Sequence, residues 1–320
     1  MSISTVDFIE DRMAVATDST AASEDLRTLS RDMNPRVREQ VACNPGTPPD
    51  VLLNLAIDYP AEVINNPAMR VHIAADPALL DTLPYDAIDP LLQEEALPTS
   101  WILVIMRHDY LSRETHLLVA RHPNTPAAAL RRIADDSITQ PAGELACALA
   151  MHPACPADVL QALATHEDAS VRAAVARHAS TPAPLLPQLL GDANADVRRA
   201  VQAHPHAPSE LITLLRRSGI DPAYPSTTES SKPLTKAEQQ RLCEAGPYIR
   251  ERLAQASSTH PDILDRLTED ADTSVKCAAA RNPNTPLPAL RRLVKTSPLA
   301  VQQAVFSNPK ACRHFDILMR

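Results

Sequence analysis

Four histidines and three asparagines recur at one place in this chain: His122, His152, His178 and His204, with Asn44, Asn282 and Asn308, each shortly ahead of a proline. A row of imidazoles invites a metal reading, because tetrahedral sites take histidine nitrogens directly. Neighbouring helices lie roughly 8–10 Å apart, so residues one repeat apart would not converge easily on one ion. Exchange with asparagine fits hydrogen bonding better, since imidazole and carboxamide each present a donor and an acceptor. The row is expected to be a structural ladder that satisfies helix-end carbonyls or a neighbouring turn. Cys147 and Cys155 lie near His152 but fall on the ladder helix and just before Pro156, where small core residues belong.

The second set is cationic. Arg38, Arg172, Arg198, Arg250 and Lys276 follow the first apolar residue of a recurring segment, and Arg121, Arg177 and Arg281 precede the ladder residue. The pairs Arg131-Arg132, Arg216-Arg217 and Arg291-Arg292 close other segments, where a helix dipole favours cations. A stacked row of guanidinium groups could hold phosphates or an acidic peptide. That makes Arg121, Arg172, Arg177, Arg198, Arg250, Lys276 and Arg281 candidate binding residues. The competing and favoured reading is an Asp–Arg ladder between repeats, because Asp168, Asp192 and Asp272 lie four or six residues ahead of Arg172, Arg198 and Lys276.

Catalytic patterns are missing. The chain has no GxSxG, HExxH, P-loop or GxGxxG, and its 5 glycines cannot build a phosphate cradle. No catalytic residue, metal site or cofactor is expected, and the chain reads as a non-enzyme.

The elements that carry these residues repeat. Val171–His178, then Thr181-Pro182 and Leu185–Leu190, returns 26 residues later as Val197–His204, Pro208 and Leu211–Leu215. Val275–Pro286 with Leu290 and Leu293, and Val37–Pro48 with Leu52 and Leu55, are further copies. Leu26 and Leu29 read as a half-repeat ahead of them. Val171, Ala174, Val175 and His178 share one face of a helix that Asp168 or Ser170 can cap. Proline after the ladder residue ends that helix, and Thr-Pro pairs (Thr47, Thr125, Thr181, Thr285) are expected to start a second one with threonine as N-cap. Each helix is too short to persist alone, so stacking must supply its stability. The expected fold is all-α, an α-solenoid of about 26-residue two-helix repeats.

The string V-R-x-A-V-A-x-[N/H]-P-x-T-P-x-x-L-L-x-x-L resembles the leucine-rich repeat variant family of bacterial proteins, a relative of HEAT and armadillo solenoids. It fits at about eight places, over most of residues 22–58 and 114–309. The resemblance implies a right-handed superhelix whose second helical layer is often 3₁₀. One member type carries an iron–sulfur cysteine cluster ahead of the repeats; here no cysteine precedes Cys43, so no cofactor is carried over. The family shares no activity to transfer.

The register places an N-terminal solenoid at 1–217 with an irregular segment at 59–113, a Pro/Ser/Thr-rich loop insertion at 218–240, and C-terminal repeats with a cap at 241–320. Residues 1–167 hold 11 basic and 24 acidic residues, and residues 168–320 hold 20 and 15, within a net charge of −8. Scattered cysteines without CxxC, and an N-terminus without a basic signal region, predict a cytoplasmic protein, and no apolar run is long enough to cross a bilayer. The function these features favour is a binding scaffold for a protein or peptide on the solenoid surface. The alternative is a HEAT-like nucleic-acid binder using the basic C-terminal half; it is disfavoured because the chain is acidic and only 3% aromatic.

Overall fold

The computed structural model describes residues 8–108, 111–138, 143–219 and 234–313. Every regular element among them is helical, with no strand. The chain divides into two compact units, Met1–Pro156 and Ala157–Arg320.

In the first unit, the first helices of successive repeats are Ile9–Thr17, Pro35–Cys43, Pro60–Asn65, Ile88–Leu92, Arg113–Arg121 and Gly143–Met151, and each packs on the next. Ser23–Leu29, Pro49–Leu55, Pro67–Ala75, Thr99–Ile105 and Ala127–Ile138 form the second layer. The half-repeat expected at Leu26 is a whole one, because Ile9–Thr17 stacks on Pro35–Cys43. The irregular segment 59–113 also keeps the layer going: the single turn-and-a-half at Ile88–Leu92 bridges the helices on either side, and the Thr115 hydroxyl reaches the Asp89 carboxylate at 2.7 Å.

In the second unit, the first helices are Ala169–Arg177, Ala195–Ala203, Pro247–Gln255, Thr273–Arg281 and Leu299–Phe306. Stacking is closest from Ala169–Arg177 to Ala195–Ala203 and from Pro247–Gln255 to Thr273–Arg281. Between these two blocks, two second-layer helices follow one another, Ser209–Ser218 and Lys236–Leu242. Of the insertion expected at 218–240, residues 220–233 lie outside the described residues. Ser218 closes one helix, and the stretch from Lys236 onward starts another under a capping box of Thr235 and Glu238. The chain rejoins the stack at Gly246, whose N–H bonds the Pro187 carbonyl, while the Tyr248 N–H bonds the Gly191 carbonyl. A Cβ on Gly246 would lie 2.6 Å from the Gly191 oxygen, so this crossing is one of bare backbones.

Second-layer helices are α-helical, with 3₁₀ turns at Pro77–Thr82, Tyr85–Ala87 and Ala183–Leu185 among the described residues. Prolines start helices throughout, as at Pro35, Pro49, Pro67, Pro247 and Pro261, where the missing N–H costs nothing. The core is aliphatic: Leu26, Leu52, Ile102, Leu130, Leu160 and Leu264 have no exposed surface. Ala176, Ala254 and Ala280 are equally buried, which lets helices approach closely.

One expectation is corrected. Thr47 and Thr285 do not cap the second helix; that place is held by Pro48 and Pro286. Each buried threonine turns back instead. Thr47 donates its hydroxyl to the Val41 carbonyl at 2.7 Å and Thr125 to Val119 at 2.6 Å, and Thr181, Thr259 and Thr285 do likewise six residues back. The last turn of a helix has carbonyls without partners, and a buried one is costly to leave unpaired.

Candidate functional site

The ladder residues Asn44, His122, His178, His204 and Asn282 occupy the C-cap of their first helices in extended conformation, and Asn308 stands one residue past the C-cap Ser307. Each side chain bonds in two directions. Its Oδ1 or Nδ1 accepts the backbone N–H two residues on: Gly46 to Asn44 at 2.8 Å, Asn124 to His122 at 3.2 Å, His206 to His204 at 3.0 Å. Ala154 and Ser180 donate in the same way to His152 and His178. The other nitrogen donates to the preceding repeat. Asn44 reaches the Ala16 and Asp18 carbonyls, Asn282 those of Ala254 and Ala256, and Asn308 those of Ala280 and Asn282. His122 reaches Glu94, His152 reaches His122, and His204 reaches His178, each at 3.0 Å.

Imidazole and carboxamide thus carry acceptor and donor to the same two places. Asn66 belongs to the row as well, bonding the Ala42 and Asn44 carbonyls. Its spacing to Asn44 is 22 rather than 26, so Asn66-Pro67, a shortened copy of the ladder-proline pair along the sequence, keeps the ladder's bonding. Among the described residues no three His, Cys, Asp or Glu side chains are placed to hold a metal.

The arginines separate into two groups. Arg172 grips the Asp192 carboxylate with Nε at 2.7 Å and Nη2 at 3.0 Å, while Nη1 donates to the His166 and Glu167 carbonyls. Arg250 repeats the fork on Asp270 at 2.6 and 2.9 Å, and Arg12 pairs with Asp32 at 2.7 Å. In each case the acid stands twenty residues after the arginine and joins one repeat to the next. Of the three acids close ahead of basic residues, Asp192 makes such a bridge, to Arg172 and not through its carboxylate to Arg198, and the other two act locally. Asp168 and Asp272 cap their own helices by accepting the N–H groups of Ser170 and Ser274.

The hydrogen bonds it donates to Asp192 hold the pKa of the Arg172 guanidinium above its ordinary value. Burial pushes the Asp270 carboxyl up, but bonds from Arg250 and the Asp272 N–H outweigh it and leave it below the usual carboxylate range. Arg198 is buried, donates to the Asp192 and Ala193 carbonyls and stacks on the Tyr248 ring at 4.2 Å.

The remaining candidates lie outward. Arg121, Arg177 and Arg281 are exposed, and Lys276 is half-buried. Arg121 pairs with Glu144 at 3.0 Å on the surface. The position before the ladder residue is exposed in each repeat but chemically unlike from one to the next: Cys43, Asn65, Arg121 and Met151 in the first unit, and Arg177, Ala203, Gln255, Arg281 and Ser307 in the second. Met151 is 72% exposed there. Beside this row, Cys43, Glu62, Asn65 and Pro67 line a shallow groove of about 250 Å³. A larger groove of about 640 Å³ runs between the second helices Ser23–Leu29 and Pro49–Leu55, lined by Arg27, Arg31, Asp50, Asn54 and Asp58.

No family model matches the chain, and no curated protein matches it. Among solved structures, it is similar to a leucine-rich repeat variant with a novel repetitive structural motif, at 23% identity and a TM-score of 0.31, over 71% of this chain and 87% of that one. An engineered protein matches at 17% identity and a TM-score of 0.27, over 97% and 95% of the two chains. The fold defined by these helices is a two-layered α-helical repeat, and no helix among the described residues is long and apolar enough to cross a membrane.

Proposed function

We propose that this chain is a non-enzymatic binding scaffold that recognises a protein or peptide through the exposed, non-consensus positions of its repeats. One observation carries the reading: the polar side chains that define the repeat are consumed in bonds within and between repeats. The ladder residues, the buried threonines, Arg172 and Arg250 have their hydrogen-bonding groups directed at neighbouring turns and carboxylates. What faces outward is the varied row before the ladder, with Met151 in the place that Arg121, Arg177 and Arg281 take elsewhere. A regular frame with irregular exposed residues suits recognition of an extended surface. A cytoplasmic location belongs to this reading, supported by six cysteines that form no disulfide.

Affinity capture from native lysate, with the wild-type chain and with Met151→Glu and Arg121→Glu as parallel baits, tests it. A partner retained by the wild type and lost from both variants is the expected result. Equal recovery with all three removes the row from the binding surface, and no recovery removes the reading.

A nucleic-acid reading draws on the exposed Arg177 and Arg281 of the basic half. It is weaker, because Arg217, Arg241 and Arg292 there are paired with Glu238, Glu210 and Asp265. A gel shift across rising salt decides it; no binding at low salt ends it.

A further inference from the structure

In the second unit, charge separates between the two ends of the first helices. The corners that lead into them collect acids, among them Glu167, Asp168, Asp192, Asp270 and Asp272. The corners that leave them are different. There the residue before the ladder and the two after it face solvent or are half-buried, and in five successive first-helix corners none of them is a carboxylate. Three are cations: Arg177, Arg281 and Lys310. Arg177 and Arg281 are exposed and join no ion pair among the described residues. The negative end of the helix dipole favours cations at this place but leaves their N–H groups in solvent.

Neighbouring corners are joined into an edge. Asn284 Nδ2 donates to the Ser257 carbonyl at 2.7 Å, and Lys310 Nζ donates to the Thr285 carbonyl at 3.2 Å. This stretch runs from Gln255 to Lys310. A shorter one runs from Arg177 to His206, where Ala169–Arg177 and Ala195–Ala203 stack. The backbone has little to offer a ligand here, because the N–H groups of Ser180, His206, Asn284 and Lys310 are already given to ladder residues. Recognition falls to the side chains. Carboxylates close to the edge along the chain are engaged: Glu251 accepts the Gln255 amide at 3.0 Å, and Glu210 and Asp262 pair with Arg241 and Lys236.

We propose, resting on the scaffold reading above, that this edge binds an extended acidic peptide whose carboxylates meet Arg177, Arg281 and Lys310. Stacked helices lie about 8–10 Å apart and an extended chain rises about 3.3 Å per residue, so one acid in about every three residues matches the repeat. The edge positions hold no Phe, Tyr or Trp on which bases could stack, which favours a peptide over a nucleic acid.

The test is fluorescence anisotropy at low salt with a labelled peptide of repeated Glu-Ser-Gly triplets, its Gln-Ser-Gly counterpart and a single-stranded oligonucleotide. The full chain is expected to bind the Glu peptide, to ignore the Gln peptide and to lose binding as salt rises. The double variant Arg177→Ala/Arg281→Ala should weaken binding about tenfold, since each exposed charge contact contributes up to about 1 kcal/mol. Arg199→Ala, which removes an exposed cation paired with Asp196 away from the edge, should leave binding unchanged. An equal loss in both variants, or tighter binding of the oligonucleotide than of the Glu peptide, overturns the proposal. No binding of the Glu peptide also overturns it, while capture of a partner from lysate would still stand for the scaffold reading.

Discussion

Arg172 and Asp192 are twenty residues apart and meet through two parallel hydrogen bonds, Nε to Oδ2 at 2.7 Å and Nη2 to Oδ1 at 3.0 Å. The side chains are only 17% and 10% exposed, so water screens the pair weakly. The same guanidinium also closes two backbone carbonyls of its own repeat. One residue therefore seals a corner within a repeat and a seam between repeats.

Arg172→Ala should cost about 2–3 kcal/mol, because it leaves a shielded carboxylate and two carbonyls without donors. Arg172→Lys should recover less than half of this, since an ammonium cannot reproduce the planar fork. Urea midpoints of the three proteins check it. An Arg172→Ala midpoint equal to the wild type would contradict the assigned role.

The ladder predicts an asymmetric tolerance. Asn282→Ala removes the donors to the Ala254 and Ala256 carbonyls and the acceptor for the Asn284 N–H, and should cost about 2–3 kcal/mol. Asn282→His keeps a donor and an acceptor at the same places and should cost under about 1 kcal/mol at pH 8. Thermal unfolding of both variants distinguishes a hydrogen-bonding ladder from simple packing, which would rank them in the opposite order.

Gly246 is required for close approach rather than for a special backbone conformation: its φ is −63°, open to any residue. A Cβ there would overlap the Gln188 carbonyl and crowd Gly191. Gly246→Ala is expected to destabilise the second unit by about 2 kcal/mol or more. Hydrogen exchange should show the loss first at the amides of Gly246 and Tyr248, which bond Pro187 and Gly191.

Glu238 should report acid unfolding of the second unit. Hydrogen bonds from Arg217 and from the Thr235 N–H bring its carboxyl from 4.5 down to about 2. A depressed folded value means that the stabilisation is complete above the unfolded value and is lost as pH falls through the folded one. The contribution should therefore fade between about pH 4.5 and 2. A carbon-detected NMR titration of the side chain checks the value, and Glu238→Gln should flatten the stability curve across that window.

Much of this architecture is legible along the chain itself. The 26-residue spacing of Val171, Val197 and Val275 with their following leucines defines two helices per repeat, and Asp168 ahead of Ser170 marks a helix start. Those are local signals: periodicity and caps act within a few residues of chain. The ladder's chemistry is legible too, because exchange of His204 with Asn282 leaves hydrogen bonding as the shared property.

Tertiary structure decided which partners these residues take. Nothing along the chain shows that the Asp192 carboxylate serves Arg172 and not Arg198, since that choice depends on the offset between stacked helices. Thr285 reads as an N-cap from Thr-Pro alone, yet its hydroxyl goes to Ala279, where a buried carbonyl lacks a donor and Pro286 already holds the cap position. Asn66-Pro67 is legible as a shortened copy, but that its side chain still reaches the carbonyls of the preceding repeat is decided by the stack, which tolerates ladder spacings of 22 to 30 residues. Periodicity determined that helices must stack, and the geometry of the stack determined which polar atoms meet, because the bonds between repeats span twenty or more residues and form only once both helices are in place.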